Sequence, residues 1–298
     1  MLKKFAYVSL LYGNSNYFLG ALLLGYSLYK TKSPYDKVLL VTKDIPEQQI
    51  NVLSQYFKII KINPIPCNEQ YIKKDRFKDV FTKMQMFKLI QYDKIMMLDT
   101  DMLILKNMDH LFNLPSPAAS SSRITIKHGQ IISKDRIIKD GKIVGRINAG
   151  LMILKPDIKT YNFICNDILK EKDIDMKHEQ DYLSWFYAGK WTYIFFLYNY
   201  EVARSLKNIK YKFKTEHIYN LHYSSRYKPW DFLDKKYYDK FKSSLHLDKK
   251  RIIEHYDLWL DIYGHIYSKF KGKGIDLDKL YIHSNPWEKI VDMRLKRK

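Results

Sequence analysis

Apolar and polar positions along this chain fall into two alternating periods. FAYVSLL, residues 5–11, is a near-continuous apolar run of the kind a strand buried on both faces shows. After the turn-rich YGNSN, the segment 17–30 places Leu19, Leu22, Leu23 and Tyr26 on one helical face. KVLLVT, 37–42, predicts a second strand. PEQQINVLSQYF then takes up helical spacing with Pro46 at its first helical position, and KIIKIN, 58–63, predicts a third strand. DVFTKMQMFKLIQY, 79–92, predicts a helix that leads straight into KIMML, a fourth strand.

GRINAGLMILKPD predicts another strand, a helix follows from about Ile158 to Glu171, and EQDYLSWFYAGK, 179–190, predicts one more. Residues 123–145 read as a long exposed insertion or hairpin. Beyond about residue 190 the pattern loosens and aromatic residues crowd in. Strands that alternate with helices imply βαβ units, and so an α/β fold with a mostly parallel central sheet flanked by helices. No internal repeat divides the chain. A single Rossmann-like domain with a C-terminal helical elaboration is expected.

A length of 298 residues allows one large core, and 46% hydrophobic residues exclude a disordered chain. The formal charge of +20 attracts anionic substrates, but the lysines are scattered and no nucleic-acid-binding motif accompanies them. Specific nucleic-acid binding is therefore not expected. Cys67 and Cys165 are too few for a disulfide framework or a zinc site, which points to a reducing compartment. The opening MLKKFAYVSLLYG lacks a convincing signal-peptide cleavage site, and no apolar stretch is long enough to span a bilayer. A cytoplasmic protein without a membrane span is the expectation.

Candidate chemistry changes this picture at one place above all. KIMMLDTDMLIL is apolar throughout except for Asp99-Thr100-Asp101, at the exit of the fourth strand. Parallel sheets bind ligands beyond the carboxyl ends of their strands. Two carboxylates one residue apart repel unless a cation sits between them, and a hard divalent ion such as Mg²⁺ or Mn²⁺ suits oxygen ligands. A solvated strand-end turn is the plainer reading. Three further clusters have plain readings too: Asn148-Ala149-Gly150 as a tight turn, Glu179-Gln180-Asp181 as first-turn helix acids, and His222 with Lys228-Pro229-Trp230 as a buried histidine and an anchored loop.

The order and spacing of these four motifs, with FTKMQMFKLIQYDKIMMLDTDMLILKNMDHLF around the first, resemble the glycogenin-like family-8 retaining glycosyltransferases of the GT-A fold. The likeness runs from about residue 5 to 232. It implies a catalytic nucleotide-sugar domain over 1–232, with 233–298 an extension to which no function is assigned. It also implies that Asp99, Asp101 and His222 hold Mn²⁺ on the diphosphate of a UDP-sugar, with Lys228 on the same phosphates. A family glycine is replaced here by Ser225. Leu10, Tyr12 and Tyr17 match uracil-contacting positions, while Gly13 replaces an asparagine. Lys83 and Arg76 match residues near the donor, and Thr100 lies between the two acids. Asn148, Ala149 and Gly150 would hold the sugar hydroxyls. Gln180 would face the reacting carbon, between Glu179, where the family has aspartate, and Asp181; front-face attack and a covalent intermediate both stay open.

The implied reaction transfers a hexose, glucose from UDP-glucose first, to the chain's own tyrosine and then extends a short glucan; the alternative is another UDP-sugar with an external glycan or small-molecule acceptor. Tyr200 and Tyr211 fall in the interval where that tyrosine lies. Family members often form homodimers. An apolar strand ending in DxD also opens haloacid-dehalogenase phosphatases, but there it begins the domain, whereas here three strands precede it.

Overall fold

The computed structural model describes residues 3–13, 15–71, 79–121, 126–172, 174–202, 214–225, 227–243 and 250–281. In chain order, β1 (Phe5–Leu11) leads through α1 (Tyr17–Lys30) to β2 (Asp36–Val41), then through α2 (Glu47–Leu53) to β3 (Lys58–Lys61). A 3₁₀ segment, Val80–Lys88, precedes β4 (Lys94–Leu98), and β5 (Met102–Ile104) follows at once. Next come β6 (Ala118–Ser120), a short hairpin of β7 (Ile138–Lys139) and β8 (Lys142–Ile143), and β9 (Asn148–Leu154). The rest is α3 (Ile158–Asp167), α4 (Glu179–Phe186), β10 (Thr192–Ile194), β11 (Tyr200–Glu201), β12 (Asn220–His222), α5 (Lys235–Ser243) and α6 (Lys250–Lys271).

The main sheet has the order β10-β6-β9-β4-β1-β2-β3. Its pairings are parallel except those of β9, which runs against β4 and β6. After Lys94, β4 is apolar because both of its faces are covered. Met96 and Leu98 join the core with α1, whereas Ile95 and Met97 join the core with the Val80–Lys88 segment. The reversal of β9 matters for function. It brings the start of that strand, Asn148–Gly150, to the edge where β4 ends, and the amide of Asp99 donates to the Gly150 carbonyl at 2.9 Å.

A second sheet, β11-β12-β5, stands beside this edge. β12 pairs antiparallel with β5, His222 opposite Met102, and the amide of Tyr223 donates to the Asp101 carbonyl at 2.9 Å. A strand more than a hundred residues away is thus zipped onto the chain that leaves the DxD motif.

Several elements differ from the pattern-based expectation. Residues 80–88 form a 3₁₀ rather than an α-helix, with Val80–Phe87 all buried. Their side chains are tied in different directions: Thr82 Oγ accepts from the Ile65 amide, Gln85 donates to the Asn63 carbonyl, and Lys83 reaches Asp99. Pro46 caps α2 rather than opening it, α3 stops at Asp167, and α4 stops at Phe186. Asp167 ends its helix with both oxygens engaged, by the Tyr182 hydroxyl and by Lys172. The stretch 123–145 contains the β7–β8 hairpin. The loosened C-terminal pattern resolves into α6, 22 residues long, whose Ile252, Tyr256, Trp259, Tyr263, Ile266 and Phe270 join the main core at intervals of three and four.

Candidate active site

Three ligand-bearing side chains converge where β4 ends. One atom each of Asp99, Asp101 and His222 lies within 4.8 Å of the other two. His222 Nε2 stands 3.2 Å from Asp101 Oδ1 and 3.9 Å from Asp99 Oδ2. The other ring nitrogen fixes that direction. Asn199 donates its amide to Ser120 Oγ at 2.8 Å, so its Oδ1 is left as the acceptor for His222 Nδ1–H at 2.9 Å. In the neutral ring, Nε2 then carries its lone pair toward the two acids. Gly150 makes room for this, since a Cβ there would meet His222 Cε1 at 2.5 Å.

Two lysines complete the electrostatics. Lys228 Nζ donates to Asp101 Oδ2 at 2.5 Å and to the Tyr223 carbonyl at 2.6 Å. Lys83 Nζ donates to Asp99 Oδ1 at 2.8 Å and to Glu179 Oε1 at 3.1 Å. Burial works against the charge on Asp101, yet the Lys228 ammonium and His222 hold its carboxyl well below the usual carboxylate range. Burial likewise opposes the charge on Lys83 and Lys228, and their carboxylate partners overcome it, so both stay protonated. His222 also resists burial: Asp101 raises its pKa above the ordinary imidazole value.

The donor set of two carboxylates and one imidazole fits a divalent cation with oxygen and nitrogen ligands. Asp99 is partly exposed, which leaves one side of the cluster open, whereas Asp101 and His222 are buried. Around this centre, the Ala149 amide donates to Gln180 Oε1 at 3.1 Å, and Ala149 is further bound to Lys83 through its carbonyl at 3.5 Å. Tyr12, half-buried, feels Glu179, Lys83 and Asp99, and burial first, then Glu179, raises its pKa. Tyr17 is 38% exposed, with Lys228 Nζ 5.5 Å from its ring centre and Trp230 edge-on at 5.1 Å. Leu10 and Thr100 are buried at the ends of β1 and β4.

The remaining expected residues lie less centrally. Asp181 is buried and fully engaged: Arg146 takes one oxygen, and the Lys177 amide donates to the other at 3.1 Å. The Ser225 hydroxyl donates to the Tyr227 carbonyl at 2.6 Å. Arg76 and Tyr211 lie outside the described residues. Tyr200 is buried, its ring edge against His255. Pattern reading missed Asn199 and Arg146. Neither sits in a motif, and only the pairing of strands reveals their partners.

The model of glycosyl transferase family 8 matches residues 9–234, about three quarters of the chain. The chain belongs to glycosyl transferase family 8. Uncharacterized protein R707 of Acanthamoeba polyphaga mimivirus is 44% identical over 285 residues, covering 93% of this chain and 99% of that protein. Galactinol synthase 1 of Solanum lycopersicum is 28% identical, over 90% of this chain and 85% of its own length. Among solved structures, the galactosyltransferase LgtC with donor and acceptor sugar analogues superposes with a TM-score of 0.51 at 15% identity, over 85% of this chain and 95% of that one. This family-8 chain is a retaining glycosyltransferase with the GT-A fold. Among its described residues, no helix is long and apolar enough to cross a membrane.

Proposed function

We propose that this chain transfers a hexose, glucose first, from a UDP-hexose to a hydroxyl group on a separate acceptor, using Mn²⁺ or Mg²⁺ held by Asp99, Asp101 and His222. The observation that carries this reading is the convergence of those three side chains, with Lys228 behind them, at the carboxyl edge of the sheet. A divalent cation bound there would act as a Lewis acid on the diphosphate, offsetting the charge that UDP gains as it departs.

The chain's own residues supply the rest. Lys228 holds Asp101 in the absence of substrate and is the point charge that can turn to a phosphate oxygen. Lys83 sets the distance between Asp99 and Glu179, and so links the cation centre to the helix that carries Gln180. Gln180 is pinned by the Ala149 amide beside the sugar-facing residues Asn148–Gly150. Asp181, with both oxygens occupied, acts as a positioning residue at the start of α4 rather than as a nucleophile. Tyr17 offers an exposed ring face to a base, with Leu10 and Tyr12 beside it. The burial of Tyr200 favours an external acceptor over the chain's own tyrosine.

The test is a screen of UDP-glucose, UDP-galactose and UDP-xylose for Mn²⁺-dependent UDP release, repeated with Asp101→Ala and followed by intact-mass measurement. Release with one UDP-hexose, abolished by chelator and by the substitution, with no mass added to the protein, is expected. Turnover indifferent to chelator would overturn the cation reading, and mass increments of a hexose would return the acceptor to the chain itself.

A further inference from the structure

Away from the donor site, the described residues form a groove of about 490 Å³ between α5, α6 and the chain from Leu277 to Tyr281. That volume lies within the about 300–1,000 Å³ usual for small-molecule pockets. Four tyrosines line it, Tyr238, Tyr263, Tyr267 and Tyr281, and carboxylates hold three of their hydroxyls. Tyr238 donates to Asp257 Oδ1 at 2.8 Å, Tyr267 to Asp278 Oδ2 at 2.7 Å, and Tyr281 to Asp278 Oδ1 at 3.1 Å. Each of those carboxylate oxygens keeps a second lone pair. The groove therefore sets aromatic rings beside acceptors whose positions are already fixed.

Gly264 adds an independent observation. It stands inside the 22-residue α6, where glycine is less favourable than alanine. No packing requires it: a Cβ there would meet nothing within 4 Å among the described residues beyond its own helix. Gly264 lines the groove, so the missing side chain keeps that space open. Charge narrows the occupant. Asp239, Asp257, Asp261 and Asp278 outnumber Lys235 and Lys242 in the lining, within a chain of net charge +20. The groove repels the polyanions that the rest of the surface attracts. A ring with apolar faces and hydroxyl edges meets both the tyrosine faces and the free lone pairs.

We propose that this groove is a carbohydrate-binding site that takes one or two rings of a neutral oligosaccharide and so anchors a glycan acceptor. The anchoring role, but not the binding, rests on the transferase reading above. The groove borders the donor site through one turn: Phe232 lines it, and Lys228 caps the same 3₁₀ segment, Pro229–Phe232.

The experiment measures binding of maltotetraose and xylotetraose to the full chain by calorimetry, with no donor and no divalent cation, in wild type, Gly264→Ala and Gly264→Leu. At least one tetraose is expected to bind with a dissociation constant of about 0.1–1 mM; Gly264→Ala should bind similarly, and Gly264→Leu roughly tenfold or more weakly. Both variants should melt no lower than wild type and, with no acceptor present, should hydrolyse donor at the wild-type rate. Failure of wild type to bind either tetraose, or equal binding by wild type and Gly264→Leu, overturns the proposal. So does a lowered melting temperature in Gly264→Leu, because the space would then already be filled by the chain. Binding of hexalysine in place of both tetraoses would reassign the groove to a basic peptide. Tetraose binding in a chain that turns over no UDP-sugar would remove the transferase reading and leave this site standing.

Discussion

Asp101 sits between an ammonium and an imidazole in a place water barely reaches. Lys228 lies 2.5 Å from one oxygen and His222 3.2 Å from the other. Removing one member of a buried pair strands the charge of the other, which costs about 3–5 kcal/mol. Asp101→Ala should therefore lower the free energy of unfolding in urea by about that amount, measured without divalent cation. Adding Lys228→Met to it should recover most of the loss, while neither variant turns over donor. If Asp101→Ala unfolds like wild type, the ion pair does not hold this edge together. Asn199 belongs to the same scale. Its side chain bridges Ser120 Oγ and His222 Nδ1, and partners that orient a ligating histidine in this way are worth about 10–100-fold in metal affinity. Asn199→Ala should raise the Mn²⁺ concentration for half-maximal activity by about that factor, with a smaller change in the rate at saturating Mn²⁺.

At the scale of elements, the site depends on two strand pairings that no local pattern reveals. The reversed β9 delivers Asn148–Gly150 to the end of β4, and β12 carries His222 to the start of β5. Gly150 lies where these two deliveries meet, with His222 Cε1 and Met102 Cε within 3 Å of where its Cβ would be. Gly150→Ala should push the imidazole aside and lower turnover about 10²-fold, with an unchanged circular dichroism spectrum. A turnover within twofold of wild type would mean that the ring moves without consequence. The strands themselves were legible, since β1 and β4 are apolar on both faces and so read as unbroken runs. Asp99, Asp101 and Asn148-Ala149-Gly150 were legible as candidates because polar or small residues there break or open apolar runs. The Val80–Lys88 segment misled because the spacing of its polar residues, Thr82, Lys83, Gln85 and Lys88, suits a turn of α-helix as well as one of 3₁₀. The inner stripe of α6 does follow helical spacing, but four of its six members are aromatic and further apolar residues (Ile253, Leu258, Leu260, Ile262, Tyr267) fall between them, so the segment read as irregular.

For the molecule as a whole, α6 closes the core and brings with it a histidine that cannot easily be charged. His255 is buried against Tyr200, its Nε2 3.5 Å from Thr215 Oγ1 and its Nδ1 without a hydrogen-bond partner among the described residues. Burial first, and the nearby Arg251 second, push its pKa down to about 4 from an ordinary value near 6.5. Between those values the unfolded chain binds a proton that the folded chain refuses, so stability falls as pH drops. The loss from this group starts below about pH 6.5 and reaches roughly 3 kcal/mol by pH 4. His222 acts in the opposite sense without divalent cation: its raised pKa adds stability at low pH that fades as pH rises through that value. The two are separated by His255→Phe, which keeps a ring against Tyr200 and removes the titration together with the 3.5 Å contact to Thr215. The variant should match or exceed wild-type stability at pH 7, and its advantage should widen by roughly 3 kcal/mol at pH 4 in urea titrations. Parallel stability curves for the two proteins over that range would show that His255 takes up its proton in the folded state, and that the α6 interface is open to water there.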